Sequence, residues 1–174
     1  MINWQKHFKE RLPWLLGISL FVVVFDQFTK NWIYHNLGRR EAITVIEDFF
    51  HIVHVHNTGA AFGLFAGWEH SSILLTFISI SAIICIVVYY FLMSSANKLT
   101  IIAFSLVVGG AAGNLIDRLR WGYVVDFIDW HYKNVYHWPA FNIADSAIST
   151  AMGLLAIELI RDYRHQRLVQ KERV

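Results

Sequence analysis

Apolar residues along this chain gather into four long blocks, and the segments between them differ in kind. A helix needs about 20 apolar residues, at 1.5 Å each, to cross roughly 30 Å of hydrocarbon. Four segments meet that length, at about 14–34, 73–93, 99–116 and 141–160. The first is interrupted by Asp26 and Lys30. The second and third carry no charge, although Asp117 and Arg118 follow the third at once. The fourth holds Asp145 near its start. The pattern predicts four membrane-spanning helices.

The connections alternate between short and long. A tight turn, Ser94-Ser95-Ala96-Asn97, ends in Lys98 and joins spans two and three. Basic residues mark this turn, the N-terminus (Lys6, Lys9, Arg11) and the tail (Arg161, Arg164, Arg167, Lys171, Arg173). Lysine and arginine near span ends are retained in the cytoplasm, so both termini are expected there. The loops at about 35–72 and 118–140 then face outward, with Arg39, Arg40, Arg118, Arg120 and Lys133 as exceptions that moderate the bias. A basic stretch before the first apolar block is also a signal-peptide feature. No small-residue cleavage site follows it, and a retained helix is expected.

The outer loops carry their own pattern. From 43 to 56 the chain is rich in β-branched and aromatic residues with partial alternation, which predicts strand. Asp129–Tyr132 and Val135–Trp138 flank Lys133-Asn134 as a hairpin would. The stretch 59–69 is rich in glycine, alanine and phenylalanine and predicts a short helix lying in the interface. Trp121, Trp130 and Trp138 suit headgroup depth. The expected architecture is a four-helix membrane bundle with a small outer β-cradle at about 43–69 and 121–138. All 174 residues form one domain in this reading.

Composition agrees. Hydrophobic residues make up 56% and charged residues 16%, against about 25% charged in soluble domains. The formal charge of +2 is too small, and too scattered, for nucleic-acid binding. The single cysteine, Cys85, lies in an apolar run and reads as a packed thiol.

The span-embedded charges are more informative. A carboxylate at bilayer depth costs about 2.5–3.5 kcal/mol on insertion scales and marks function by default. All of these charges except Glu158 lie toward the outer face. Asp26 and Lys30 are four apart, as are Asn114 and Arg118, while Asn142 and Asp145 are three apart. Each spacing makes helical neighbours. Asp126 arrives from the loop between spans three and four. Gly109 and Gly113 form a small-xxx-small pair that lets helices approach closely. Convergence of Asp126 and Asp145 would give a shared-proton carboxyl pair, the chemistry of an aspartic protease.

Plainer readings stand beside this one. Asp26 and Lys30 form a structural ion pair, with Lys30 reaching to the interface. Asn114 and Asn142 serve as interhelical hydrogen-bond glue. Asp117 and Arg118 end a helix at the surface, and Asp129 is a solvated loop carboxylate. His51, His54 and His56 resemble a metal cluster, but no fourth ligand is evident and no metal is expected. No cofactor is expected either. Gly109–Gly113 lacks the lysine and preceding strand of a phosphate loop.

In order along the chain stand Asp26-Gln27-Phe28-Thr29-Lys30, Asn57-Thr58-Gly59-Ala60-Ala61-Phe62-Gly63 and Gly109-Gly110-Ala111-Ala112-Gly113-Asn114-Leu115-Ile116-Asp117-Arg118. Val124-Val125-Asp126-Phe127 and Phe141-Asn142-Ile143-Ala144-Asp145 follow. Together these resemble the lipoprotein signal peptidases, also called signal peptidase II, over nearly the whole chain. The resemblance implies an aspartic endopeptidase of the bacterial cytoplasmic membrane. Such an enzyme cleaves diacylglyceryl-modified prolipoproteins just before the lipidated cysteine and is blocked by globomycin. It implies Asp126 and Asp145 as the catalytic pair. Asp26, Lys30, Asn57, Gly59, Asn114, Arg118, Asn142 and Ala144 would line or support the site. Membrane lipid would hold the substrate's acyl chains, and one four-span chain can contain the whole site, so a monomer is expected. The competing class is a small proton or solute transporter, since intramembrane Asp and Lys serve that role too. A noncatalytic assembly protein with a purely structural polar pocket is a third.

Overall fold

The computed structural model describes residues 4–39, 41–60, 64–65, 67–93, 97–133 and 135–171. Four helices dominate: α1 (Trp4–Asn36), α2 (Ser71–Leu92), α3 (Lys98–Trp121) and α4 (Ile143–Lys171). All four are long and apolar enough to cross a membrane. Large apolar side chains such as Leu20, Phe21, Phe28, Phe77 and Ile84 point outward and remain exposed. That is costly in water and expected in lipid, where burying them gains nothing further. The helices overrun the apolar blocks because amphipathic and charged turns extend beyond the hydrocarbon. α4 continues past 160 through the basic tail, and α3 continues through Asp117 and Arg118 to Trp121.

Local chemistry explains the ends. Asn97 caps α3, its side chain accepting from the Thr100 amide at 2.9 Å. Gly122, at φ 77°, ends α3 in the left-handed conformation that glycine adopts without strain. The Asn97 side chain also donates to Glu158 of α4, which gives that span charge a partner. Residues 94–96 of the expected tight turn lie outside the described residues. At the same end, Arg11 is buried rather than solvated. It donates to the Tyr90 and Met93 carbonyls at 2.9 and 2.8 Å, while the Tyr90 hydroxyl returns a bond to the Arg11 carbonyl. A cation thereby meets the carbonyl end of α2, where the helix dipole is negative.

α3 is the central helix, in contact with all the others. Its small residues make that possible. A Cβ on Gly109 would stand 2.9 Å from the Ser19 backbone, and one on Gly110 would stand 2.5 Å from the Ala144 carbonyl oxygen. Real Cβ atoms do not approach backbone so closely. Glycine here sets the α1–α3 and α3–α4 distances, as the small-xxx-small pattern predicts.

The two long loops form a four-stranded sheet in the order β1-β2-β3-β4: β1 (Ala42–Ile46), β2 (Phe50–Asn57), β3 (Val124–Tyr132) and β4 (Tyr136–His137). All pairings are antiparallel. The single stretch expected at 43–56 is a hairpin, broken at Glu47–Phe49, where Asp48 takes φ 59°. Asp126 therefore belongs to a strand, not a loop. β3 packs Val125 and Phe127 against Ile33 and Leu37 of the α1 end, which seats the sheet on the bundle. The β3–β4 hairpin forms where the sequence predicts it, with Asn134 outside the described residues. In the interfacial helix expected at 59–69, residues 61–63 and 66 lie outside the described residues. Gly59, Ala60, Leu64, Phe65, Gly67 and Glu69 are turns and bends rather than helix.

Candidate active site

Asp126 and Asp145 reach one place from two elements. Asp145 is set by the first turn of α4. Asn142 precedes that helix, and its side-chain oxygen accepts from the Asp145 amide at 3.0 Å, while the Asp145 carboxylate accepts from the Asn142 amide at 3.3 Å. This reciprocal pair is a capping box with Asp in the usual Glu position. It aims the carboxylate back over the helix N-terminus. Asp126, buried in β3, accepts from the Asn142 side-chain amide at 2.7 Å and from Asn57 of β2 at 2.9 Å. Asn142 thus touches both carboxyls. Asn114 of α3 donates to Asp145 at 2.8 Å. Burial, then the nearby charge of Asp145, pushes the Asp126 carboxyl up to about 7.

Behind this pair lies a fully buried ion cluster. Lys30 meets Asp26 at 2.8 Å, Asp117 at 3.0 Å and the Asn114 side-chain oxygen at 2.8 Å. None of the three charged side chains is exposed. Each outlying carboxylate holds a backbone amide beside a member of the pair. Asp26 accepts from the Ala144 amide at 2.9 Å, and Asp117 accepts from the Val125 amide at 3.1 Å. Gln27 donates to Asp117 at 2.7 Å and completes it. One lysine therefore ties α1, α3, α4 and β3 together next to both aspartates. Gly113 makes room, since a Cβ there would meet Asp26 Oδ2 at 2.6 Å.

The remaining predicted residues fall around the rim. Arg118 donates to the Gly59 carbonyl at 3.3 Å and weakly to its own helix at Asn114. Gly59 donates its amide to the Asn57 side chain at 2.9 Å, which orients that side chain toward Asp126. Ala144 is fully buried against α3.

Several plainer readings do not survive. Lys30 does not reach the interface; it is buried with three partners. Asp117 does not end a helix at the surface, and sequence reasoning left it out of the site. Its signal was available: 110, 113, 114 and 117 form one stripe on α3, two small residues followed by two polar ones. Asp129 is not solvated. It is buried in β3, with His137 at 3.1 Å and His131 at 3.5 Å. The histidine triplet divides into two groups along β2, on either side of the extra residue that this strand carries between Ile52 and Val55. His54 donates to the Leu37 carbonyl and pairs with His56 at 3.0 Å, while His51 faces Asp129. Burial, with Arg39 and His54 nearby, holds His56 down at about 4.

Comparison with known proteins converges on one group. The family model described as signal peptidase (SPase) II matches residues 18–161. A lipoprotein signal peptidase of Syntrophotalea carbinolica is 45% identical over 153 residues, 87% of this chain and 94% of its own length. One from Clostridium tetani is 42% identical over 145 residues, covering 83% and 91%. A solved bacterial membrane enzyme superposes with a TM-score of 0.77 at 36% identity, covering 86% of this chain and 88% of that one.

Proposed function

Since the chain belongs to the signal peptidase II family, we propose that it is an aspartic endopeptidase that removes the signal peptide from diacylglyceryl-modified prolipoproteins. The cut falls just before the lipidated cysteine. The observation that carries the aspartic mechanism is the shared contact of Asp126 and Asp145 with Asn142. The amides beside both aspartates are also pinned by one buried ion cluster. A transporter would need polar steps through the bilayer, and α2 has no charged residue.

Two neighbouring carboxyls hold one proton between them over a middle pH range. Burial and the neighbouring Asp145 raise the proton affinity of Asp126, which supports Asp126 as the protonated partner. Asp145 then takes a proton from water, and the oxygen attacks the scissile carbonyl carbon. Asp126 donates toward the carbonyl oxygen as it becomes an alkoxide. Collapse of the tetrahedral intermediate breaks the C–N bond, with the proton taken from water passing to the leaving nitrogen. Asn57, Asn114 and Asn142 keep the carboxyls oriented, and Arg118 supplies positive charge at the rim. The acyl chains stay in lipid between helices, and small residues before the cysteine ease local unwinding of the substrate helix. The termini are cytoplasmic, the site lies near the outer face, one chain suffices, and globomycin-type inhibitors compete for the same groove.

The direct test incubates the detergent-purified chain with diacylglyceryl-modified prolipoprotein and follows release of the signal peptide. No release, combined with proton flux in liposomes, overturns the assignment.

The proton on Asp126 is lost as pH rises through about 7. Cleavage is therefore expected to decline on the alkaline side of that value. A kcat/KM profile that stays flat from about pH 6 to 9 removes Asp126 as the acid. The same shift has a stability consequence. The folded form binds this proton more tightly than an ordinary aspartate at 3.8. The contribution is complete below 3.8 and is lost as pH climbs to about 7.

The two neighbouring arginines are expected to separate. Arg118→Ala lowers kcat/KM by roughly 10- to 100-fold, because its charge faces both aspartates. Arg120 lies over the Trp121 ring at 4.6 Å, away from the carboxyls. Arg120→Ala stays within about threefold. Equal mild losses would take Arg118 out of the site.

A further inference from the structure

A second polar cluster occupies the outer sheet and has no part in the chemistry above. His51 of β2 lies directly across from Asp129 of β3, and His131 of β3 lies directly across from His137 of β4. Asp129 and His131 are two apart on one strand, so all four side chains leave the same face. Asp126 is three residues from Asp129 and leaves the opposite face. One ligand atom each from His51, Asp129 and His131 lies within 4.8 Å of the others. Rings of His51 and His131 are 4.1 Å apart between centroids.

His131 is the informative member. It is 3% exposed, and among the described residues neither ring nitrogen has a hydrogen bond. Its Nδ1 is 3.5 Å from Asp129, too long to be one. A buried imidazole without a hydrogen-bond partner has lost its contacts with water and gained none in return. A bound cation offsets that loss by taking a nitrogen lone pair.

We propose that His51, Asp129 and His131 form a site for a divalent transition metal of the zinc class that clamps β2 to β3. Two imidazole nitrogens and one carboxylate oxygen suit zinc-class ions and not calcium or magnesium, which prefer oxygen. Metal–ligand bonds of about 2.0–2.2 Å place tetrahedral ligands roughly 3.4 Å apart, so the cluster closes by small side-chain rotations. Water takes the fourth position. His137 donates to the Asp129 oxygens at 3.1 and 3.2 Å and orients the carboxylate, as outer partners of metal ligands do. Its half-exposed ring marks the entry side. The site is structural and independent of the peptidase reading.

The test titrates zinc chloride into the detergent-purified, chelator-stripped full chain, carrying a tag without histidine and no substrate. Calorimetry is expected to show one zinc per chain with Kd at or below roughly micromolar, and Tm is expected to rise by several degrees. Magnesium leaves Tm unchanged. His51→Ala and Asp129→Asn each weaken binding at least about tenfold. His51 is half-buried, so its variant is the less disruptive of the two, and a metal-free Tm near the parent's confirms that it folds. His56→Ala binds as the parent does. Absent saturable binding, or binding indifferent to both His51→Ala and Asp129→Asn, overturns the site. Loss with His56→Ala alone moves the ion to the other histidine pair and overturns it as well.

Discussion

Asp126→Asn and Asp145→Asn are each expected to cut cleavage of diacylglyceryl-modified prolipoprotein by roughly 10³-fold or more, the scale of lost acid–base catalysis. An amide neither takes a proton from water nor donates an acidic one. The two groups act as a unit, so the double variant is expected to lose little beyond either single one. Folding should survive with a modest penalty. Among the described residues, the hydrogen bonds to these carboxyls are donations, from Asn57 and Asn142 to Asp126 and from Asn114 and the Asn142 amide to Asp145. A new NH₂ group confronts one donor at each position, at about 1–3 kcal/mol. Turnover by either purified variant above about a tenth of the parent's would end the dyad mechanism, and gel filtration with circular dichroism checks that the variants remain folded.

Lys30→Met is expected to cause the largest loss of stability of any single change. It removes the one cation from a cluster with no exposed side chain and leaves Asp26 and Asp117 facing each other in a dry interior. Breaking a buried ion pair by removing one partner costs about 3–5 kcal/mol. For a chain of this size that is roughly 10 °C or more of Tm. Activity should fall as well, because the amides of Ala144 and Val125 lose their fixed acceptors. The discriminating comparison is the triple variant Asp26→Asn, Lys30→Met, Asp117→Asn. It removes the unpaired charge but keeps an acceptor oxygen at each carboxyl position, and it should be more stable than Lys30→Met alone. A triple variant less stable than the single one would mean that steric fit, not charge, gives Lys30 its weight.

Much of this site is legible because intramembrane polar residues are expensive and therefore few. Asp26, Lys30, Asn114, Asn142 and Asp145 stand out against apolar helices, and helical spacing alone pairs several of them. Asp117 does not stand out, since a charge following an apolar block looks like an ordinary helix end. Only the continuation of α3 to Trp121 reveals that it is inside. Asp129 looks solvated for a related reason: loop composition does not show which face of a strand a hairpin will cover. The partners of the histidines were equally hidden, because they depend on how β2 pairs with β3.

The amino-acid order by itself determined the four crossings, the outer strands and the residues able to do acid chemistry. Hydrophobic run length and local periodicity are properties of neighbours along the chain, which is why they can be read directly. Which carboxylates gather in the buried ion cluster and which meet at Asn142 was decided by the tertiary structure. Asp26 and Ala144 are 118 positions apart along the chain, yet the Asp26 carboxylate accepts from the amide of Ala144, next to Asp145. Contacts of that range depend on glycine-set distances between helices and on the register of the sheet, and both arise only when the bundle closes.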